Sequence, residues 1–180
     1  MTVAPFSSAQ IAQFANLVEA YISKQRHTYI GRAVPLSAAQ RSEMEPFFVP
    51  DVLDRVRLVV LVGERVPNPD FYPMLSALGL DDLPDQEASA AITFCDVVVA
   101  HTPFSSGLLF HELVHVEQYR QLGVARFSEL YVRGFLNGGR YETIPLEVNA
   151  YALGERFENH PGQTFPVAEI VQTWIAEGRF

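Results

Sequence analysis

The pentapeptide His111-Glu112-Leu113-Val114-His115 is an H-E-x-x-H set inside a run that reads as helix, and no other feature constrains the chain as tightly. From Leu108 to Leu122 there is neither Gly nor Pro, Ser105 and Ser106 offer an N-cap, and Gly123 supplies a C-terminal stop. Four residues span just over one helical turn, so His111 and His115 project from one face, close enough to share a cation, with Glu112 on the adjoining flank. Leu108, His111, His115, Tyr119 and Leu122 form one stripe, while Phe110, Leu113 and Val114 make the reverse side apolar too. Such a helix is expected at the centre of the fold. A lone His on an apolar face is usually a core residue bonded to a carbonyl. Two of them flanking a Glu are three polar groups that each need a partner to offset desolvation, and a metal with an ordered water satisfies all three. Zinc held this way brings the pKa of its water to about 7, with the glutamate placed to take the proton.

Tetrahedral catalytic zinc takes three protein ligands and leaves a fourth position open. The extended metzincin pattern would need Gly at 118 and His at 121; the chain has Gln118 and Gln121, so that pattern is excluded. No Asp follows Asp96, and the only His after His115 is His160. The downstream carboxylates are therefore glutamates, and Glu147 stands out among them. After Gly138-Gly139, the stretch Thr143-Ile144-Pro145 starts a helix that continues through Leu146, Val148, Ala150, Tyr151 and Leu153. Glu147 falls in its first turn, where a crossing helix would aim it at the histidines and small Ala150 would permit close approach. The alternative reading is an acid favoured by the helix dipole.

The run His111 to Tyr119, then Tyr131, then Pro145-Leu146-Glu147-Val148-Asn149-Ala150-Tyr151 resembles the minimal gluzincin-type zinc metallopeptidases. More narrowly it is similar to a bacterial zincin-like family of unknown function with a peptidase motif, some members of which accompany toxin-delivery systems. The resemblance covers roughly residues 90 to 157, including the run Ile92 to Val99. It implies His111, His115 and Glu147 as ligands of Zn2+, Glu112 as catalytic base, and a peptide or protein substrate. One departure matters: larger gluzincins carry an aspartate one turn after the glutamate ligand, where it orients a zinc-bound His, and here that place is Tyr151. An oxyanion donor is unassigned among Tyr151, Tyr141, Arg140, His101 and His160. A noncatalytic zincin-fold protein, with structural or no zinc and an interaction or targeting role, is the competing reading.

Elsewhere the pattern predicts one domain over residues 1–180 of α+β class, a zincin-like arrangement of a small mixed or antiparallel sheet packed on the motif helix and further helices. With 180 residues and 48% hydrophobic content the chain can bury a sizeable core. Helices are expected over Ser8 to His27, near Ser37 to Met44, over Ala125 to Leu136 and over Phe165 to Glu177. Strands are expected at Val56 to Val62 and Ala91 to Val99, one of them lining a substrate cleft. The segment between them, with Asp81, Asp82, Asp85 and Glu87, reads as a loop that could rim that cleft. A net charge of -8 disfavours nucleic acid as a partner. Lone Cys95, in an apolar run, is expected to be buried. Met1 to Pro5 lacks a basic flank and apolar core, and no stretch approaches the length of a membrane span, which together suggest a cytoplasmic product.

Overall fold

The computed structural model describes residues 6–180; the Met1 to Pro5 segment lies outside the described residues. Among the described residues there are seven α-helices and three short strands, so the α+β expectation holds, with helix predominating. Helix α1 (Ser8–Ile30) opens on a reciprocal cap: Gln10 N donates to the Ser7 hydroxyl while Ser7 N donates to the Gln10 side chain. Helix α2 (Ala38–Met44) repeats the device with Ser37 and Gln40. Helix α3 (Pro50–Arg55) starts on proline, where a missing N–H costs nothing, and leads into β1 (Arg57–Val60). Helix α4 (Tyr72–Ala77) is a short turn within the connecting segment.

The run expected as one strand over Ala91 to Val99 is instead a hairpin, β2 (Ala91–Phe94) and β3 (Val97–Ala100), turning on Cys95-Asp96. The chain can reverse there because Cys95 takes the left-handed region at φ 61°, and Arg26 of α1 forks onto the Asp96 carboxylate at 2.5 and 2.9 Å. An unbroken β-branched composition on both sides conceals this turn in the sequence. Cys95 accordingly sits at a turn and is only half-buried, not inside a strand, and burial pushes its thiol up to about 11. The sheet order is β1-β3-β2, with β1 parallel and β2 antiparallel to central β3. Every β3 side chain is fully buried, and they divide between two cores: Val98 joins Leu58, Leu109 and Leu113, whereas Val97 and Val99 join Ile22, Tyr29 and Phe94.

Helix α5 (Ser106–Gly138) runs past the sheet and is broken at Gly123, whose φ 72° and ψ 163° only glycine adopts readily. The expected stop is therefore real, but the second helix restarts at once without a loop. A single 3-10 turn at Tyr141–Thr143 leads to α6 (Pro145–Asn159), and α7 (Val167–Ala176) packs back onto α5. Arg120 donates a two-pronged pair of hydrogen bonds to the buried Glu117 carboxylate, and the Gln121 amide donates both to Glu117 and to the Ala168 carbonyl of α7. No helix among the described residues is long and apolar enough to cross a membrane.

Candidate metal centre

The first half of α5 is set by Ser105, whose hydroxyl accepts from Leu108 N at 3.1 Å, and its regular turns place His111 and His115 on one face with their Nε2 atoms 3.1 Å apart. Glu147 is in the first turn of α6, which begins on Pro145. Its Oε2 lies 3.5 Å from His111 Nε2 and 3.3 Å from His115 Nε2. The structure thus brings together the three residues expected from sequence. Zinc in tetrahedral coordination at about 2.0–2.1 Å from its ligands separates them by about 3.3 Å, which the three edges of this triangle bracket. Buried Glu147 Oε2 also has no hydrogen-bond donor, a cost that a shared cation would remove. Two imidazole nitrogens and a carboxylate oxygen are a donor set suited to zinc.

Electrostatics point the same way. Burial alone pushes the Glu147 carboxyl up, but the two imidazoles outweigh it and hold the group well below the usual carboxylate range. Burial alone pulls His115 down, yet Glu147, reinforced by Glu112 and Gln118, raises it to about 9. The cluster is built around an ionised carboxylate and favours positive charge on the imidazole side.

Gln118 orients His115. It is fully buried, and its Nε2 donates to the Leu146 carbonyl and to Asn149 Oδ1, both at 3.0 Å. Because a backbone carbonyl can only accept, the Gln118 amide nitrogen must face Leu146, which turns Oε1 toward His115 Nδ1 at 2.8 Å. His115 Nδ1 therefore carries a proton and donates it, and Nε2 is the atom turned to Glu147 and His111. An orienting task of this kind is what the resemblance to larger gluzincins would give to residue 151. Tyr151 does not perform it: half exposed, it lays its ring 4.5 Å from that of His111 and covers it. Neither Gln118 nor Asn149 was expected to serve the site. The i, i+3 spacing from His115 to Gln118 was the available signal.

Glu112 is buried beside the triad, and Thr93 of β2 donates to its Oε2 at 2.6 Å. The other carboxylate oxygen has no protein partner among the described residues. Thr93, a polar residue in an apolar strand, was likewise missed. Of the five oxyanion candidates, only Tyr141 lines both of the spaces that meet at Glu112; burial first, then the Glu147 charge, pushes its phenol far up. His101 is committed elsewhere, accepting from Val66 N at 3.0 Å with its other nitrogen 2.6 Å from the Ser89 carbonyl. His160 is exposed and bonded to the Asn159 carbonyl. Arg140 is exposed and borders a surface hollow with Asp82, Asp85, Glu142 and Tyr141, so the acidic loop does adjoin the rim of the site.

Two spaces meet at Glu112. A groove of about 420 Å³ runs along His111, Tyr151 and Gly154, and a deeper cavity of about 100 Å³ extends from Glu112, His115 and Glu147 toward α1. Ser89, Ala91, Glu112 and Tyr141 line both. Compared with profiles of protein families, with curated proteins and with solved structures, the chain gives no match.

Proposed function

We propose that this chain is a zinc-dependent metallopeptidase with a zincin-like arrangement, in which His111, His115 and Glu147 hold the metal and Glu112 is the general base. The observation that carries the reading is the triangle of two Nε2 atoms and one Oε2, with edges of 3.1, 3.3 and 3.5 Å, beside a buried glutamate. Zinc bound there would polarise a scissile carbonyl and make water a competent nucleophile near neutral pH.

The chain's own groups supply the rest. Thr93 pins Glu112 Oε2, leaving Oε1 to take a proton from the attacking water and deliver it to the departing amine nitrogen. Gln118 keeps the His115 Nε2 lone pair directed at the metal position. The Tyr141 hydroxyl is the donor available to the developing oxyanion. Strand β2 has β3 on one side and, among the described residues, no strand on the other, and all four of its residues line the cavity beside Glu112. An extended peptide laid along that edge would be held by main-chain hydrogen bonds with its carbonyl near the triad. Of the two runs expected to line a cleft, β2 is the one that fits.

The test is metal content and turnover in parallel. Purified protein should carry one zinc per chain; Glu147→Ala should lose it, whereas Glu112→Gln should retain it while peptide hydrolysis falls by about 10²–10⁴-fold. Metal retained in Glu147→Ala, or undiminished hydrolysis in Glu112→Gln, would overturn the proposal. Zinc retention with no hydrolysis of any peptide by the wild type would favour a noncatalytic role.

A further inference from the structure

We propose that the surface hollow between α6 and α7 is a second binding site, which takes a peptide group carrying a basic side chain. It stands apart from the peptidase reading. Asn149 at its centre follows Glu147 by two residues, about 200° further round α6, and the hollow shares no lining residue with the groove or the cavity at the triad.

A chain of hydrogen bonds fixes which way the Asn149 amide points. The Leu146 carbonyl can only accept, so Gln118 presents its Nε2 there. The same Nε2 gives its second N–H to Asn149 at 3.0 Å, which requires Asn149 to present Oδ1 inward. Its Nδ2 is then turned outward, with two N–H groups and no acceptor in the protein among the described residues. At 9% exposure the side chain is nine-tenths buried, and what remains open lines a hollow of about 350 Å³ together with residues of α7. A buried amide with an unused donor at the floor of a hollow is a group built to meet an acceptor.

The rest of the lining decides what carries that acceptor. Glu177 is paired with Arg179 at 2.6 Å, whereas Glu169 has no cationic partner among the described residues. An anionic ligand would therefore meet an unpaired like charge. A neutral carbonyl beside a cation meets two complementary groups instead, Asn149 Nδ2 for the oxygen and Glu169 for the charge. Thr173 offers no competing donor, because its hydroxyl donates to the Glu169 carbonyl within α7 at 2.9 Å. Buried Trp174 and half-buried Ile170, with Pro166, supply the apolar wall along which a lysine or arginine stem can lie. The volume falls at the lower end of the roughly 300–1,000 Å³ of ligand sites, which suits one residue with its flanking peptide groups.

Trp174 is the only tryptophan in the chain, so its fluorescence reports directly on this hollow. Full-length protein would be titrated with N-acetyl-lysine N-methylamide, with N-acetyl-glutamate N-methylamide, and with pentylamine, which has the ammonium without the peptide groups. The lysine diamide should shift the emission saturably and bind at least about tenfold more tightly than either control, the worth of about one net hydrogen bond. Asn149→Leu, which removes the donor, and Thr173→Phe, which fills the hollow, should each abolish the shift while circular dichroism is unchanged; the exposed position of Thr173 guards against the first variant failing to fold. Glu169→Gln should erase the preference for lysine over glutamate. Emission unmoved by the lysine diamide, equal binding of the glutamate diamide or of pentylamine by the wild type, or a shift that persists in the folded variants would overturn the site. The titration reads neither metal nor hydrolysis, so lysine-selective binding in a protein without zinc or turnover would uphold the site and sink the peptidase reading alone.

Discussion

Gln118 holds a neutral amide where a carboxylate would be the stronger acceptor, and its three bonds reach the His115 imidazole of the proposed triad, the carbonyl next to Glu147 and the Asn149 side chain. Gln118→Leu would keep the volume and remove all three, leaving a buried His115 N–H and the Leu146 carbonyl without that partner. Zinc affinity, measured by competition with a chromophoric chelator, should weaken about 10–100-fold, and Asn149→Ala, which removes only the outer bond, should weaken it less. Unchanged affinity in Gln118→Leu would remove the orienting role. The contrast with Glu147 shows what was legible at this scale. His111, Glu112 and His115 announce themselves by helical spacing, and Glu147 by its place just after Pro145. Gln118 does not, because its meaning lies in which atom of His115 it faces, and that depends on a carbonyl 28 residues away in sequence.

The approach of α6 to α5 depends on a glycine in the second half of α5. A Cβ at Gly134 would lie 2.5 Å from Pro145 Cδ, a rigid ring at the start of the helix that carries Glu147. Gly134→Ala must therefore displace α6, costing about 1–3 kcal/mol in chemical denaturation and weakening zinc binding by moving one ligand away from two. Gly154, inside α6, has nothing within 4 Å of its virtual Cβ, so Gly154→Ala should be neutral or stabilise by up to about 1 kcal/mol through helix propensity. If both substitutions behaved alike, the close approach would not be what seats Glu147. Helix positions could be read from caps and periodicity: Ser7, Ser37 and Pro145 each begin the element expected of them. The strands could not. Ala91 to Val99 alternates nothing, since β3 is buried on both faces, and the reversal at Cys95-Asp96 is fixed by the Arg26 fork from α1, a contact without local signature.

At the scale of the molecule, the triad joins α5 to α6 across the 3-10 turn, with both helices packed against each other and His115 and Glu147 buried between them. The unfolded chain holds no such constellation, so if zinc occupies the triad as proposed it would bind the folded state and stabilise it by mass action. At free zinc about 100 times the dissociation constant the gain is about 2.7 kcal/mol. For a chain of this length each kcal/mol moves the melting midpoint by about 2–4 °C, so loading should raise it by about 5–10 °C and chelation should return it. The variants separate the metal's structural effect from chemistry. Glu112→Gln, which removes the base but no ligand, should keep the full shift. Glu147→Ala should show almost none, and its own midpoint should not respond to chelator. A zinc-dependent shift of wild-type size in Glu147→Ala would mean that the ion stabilises the fold from somewhere other than the junction of α5 and α6.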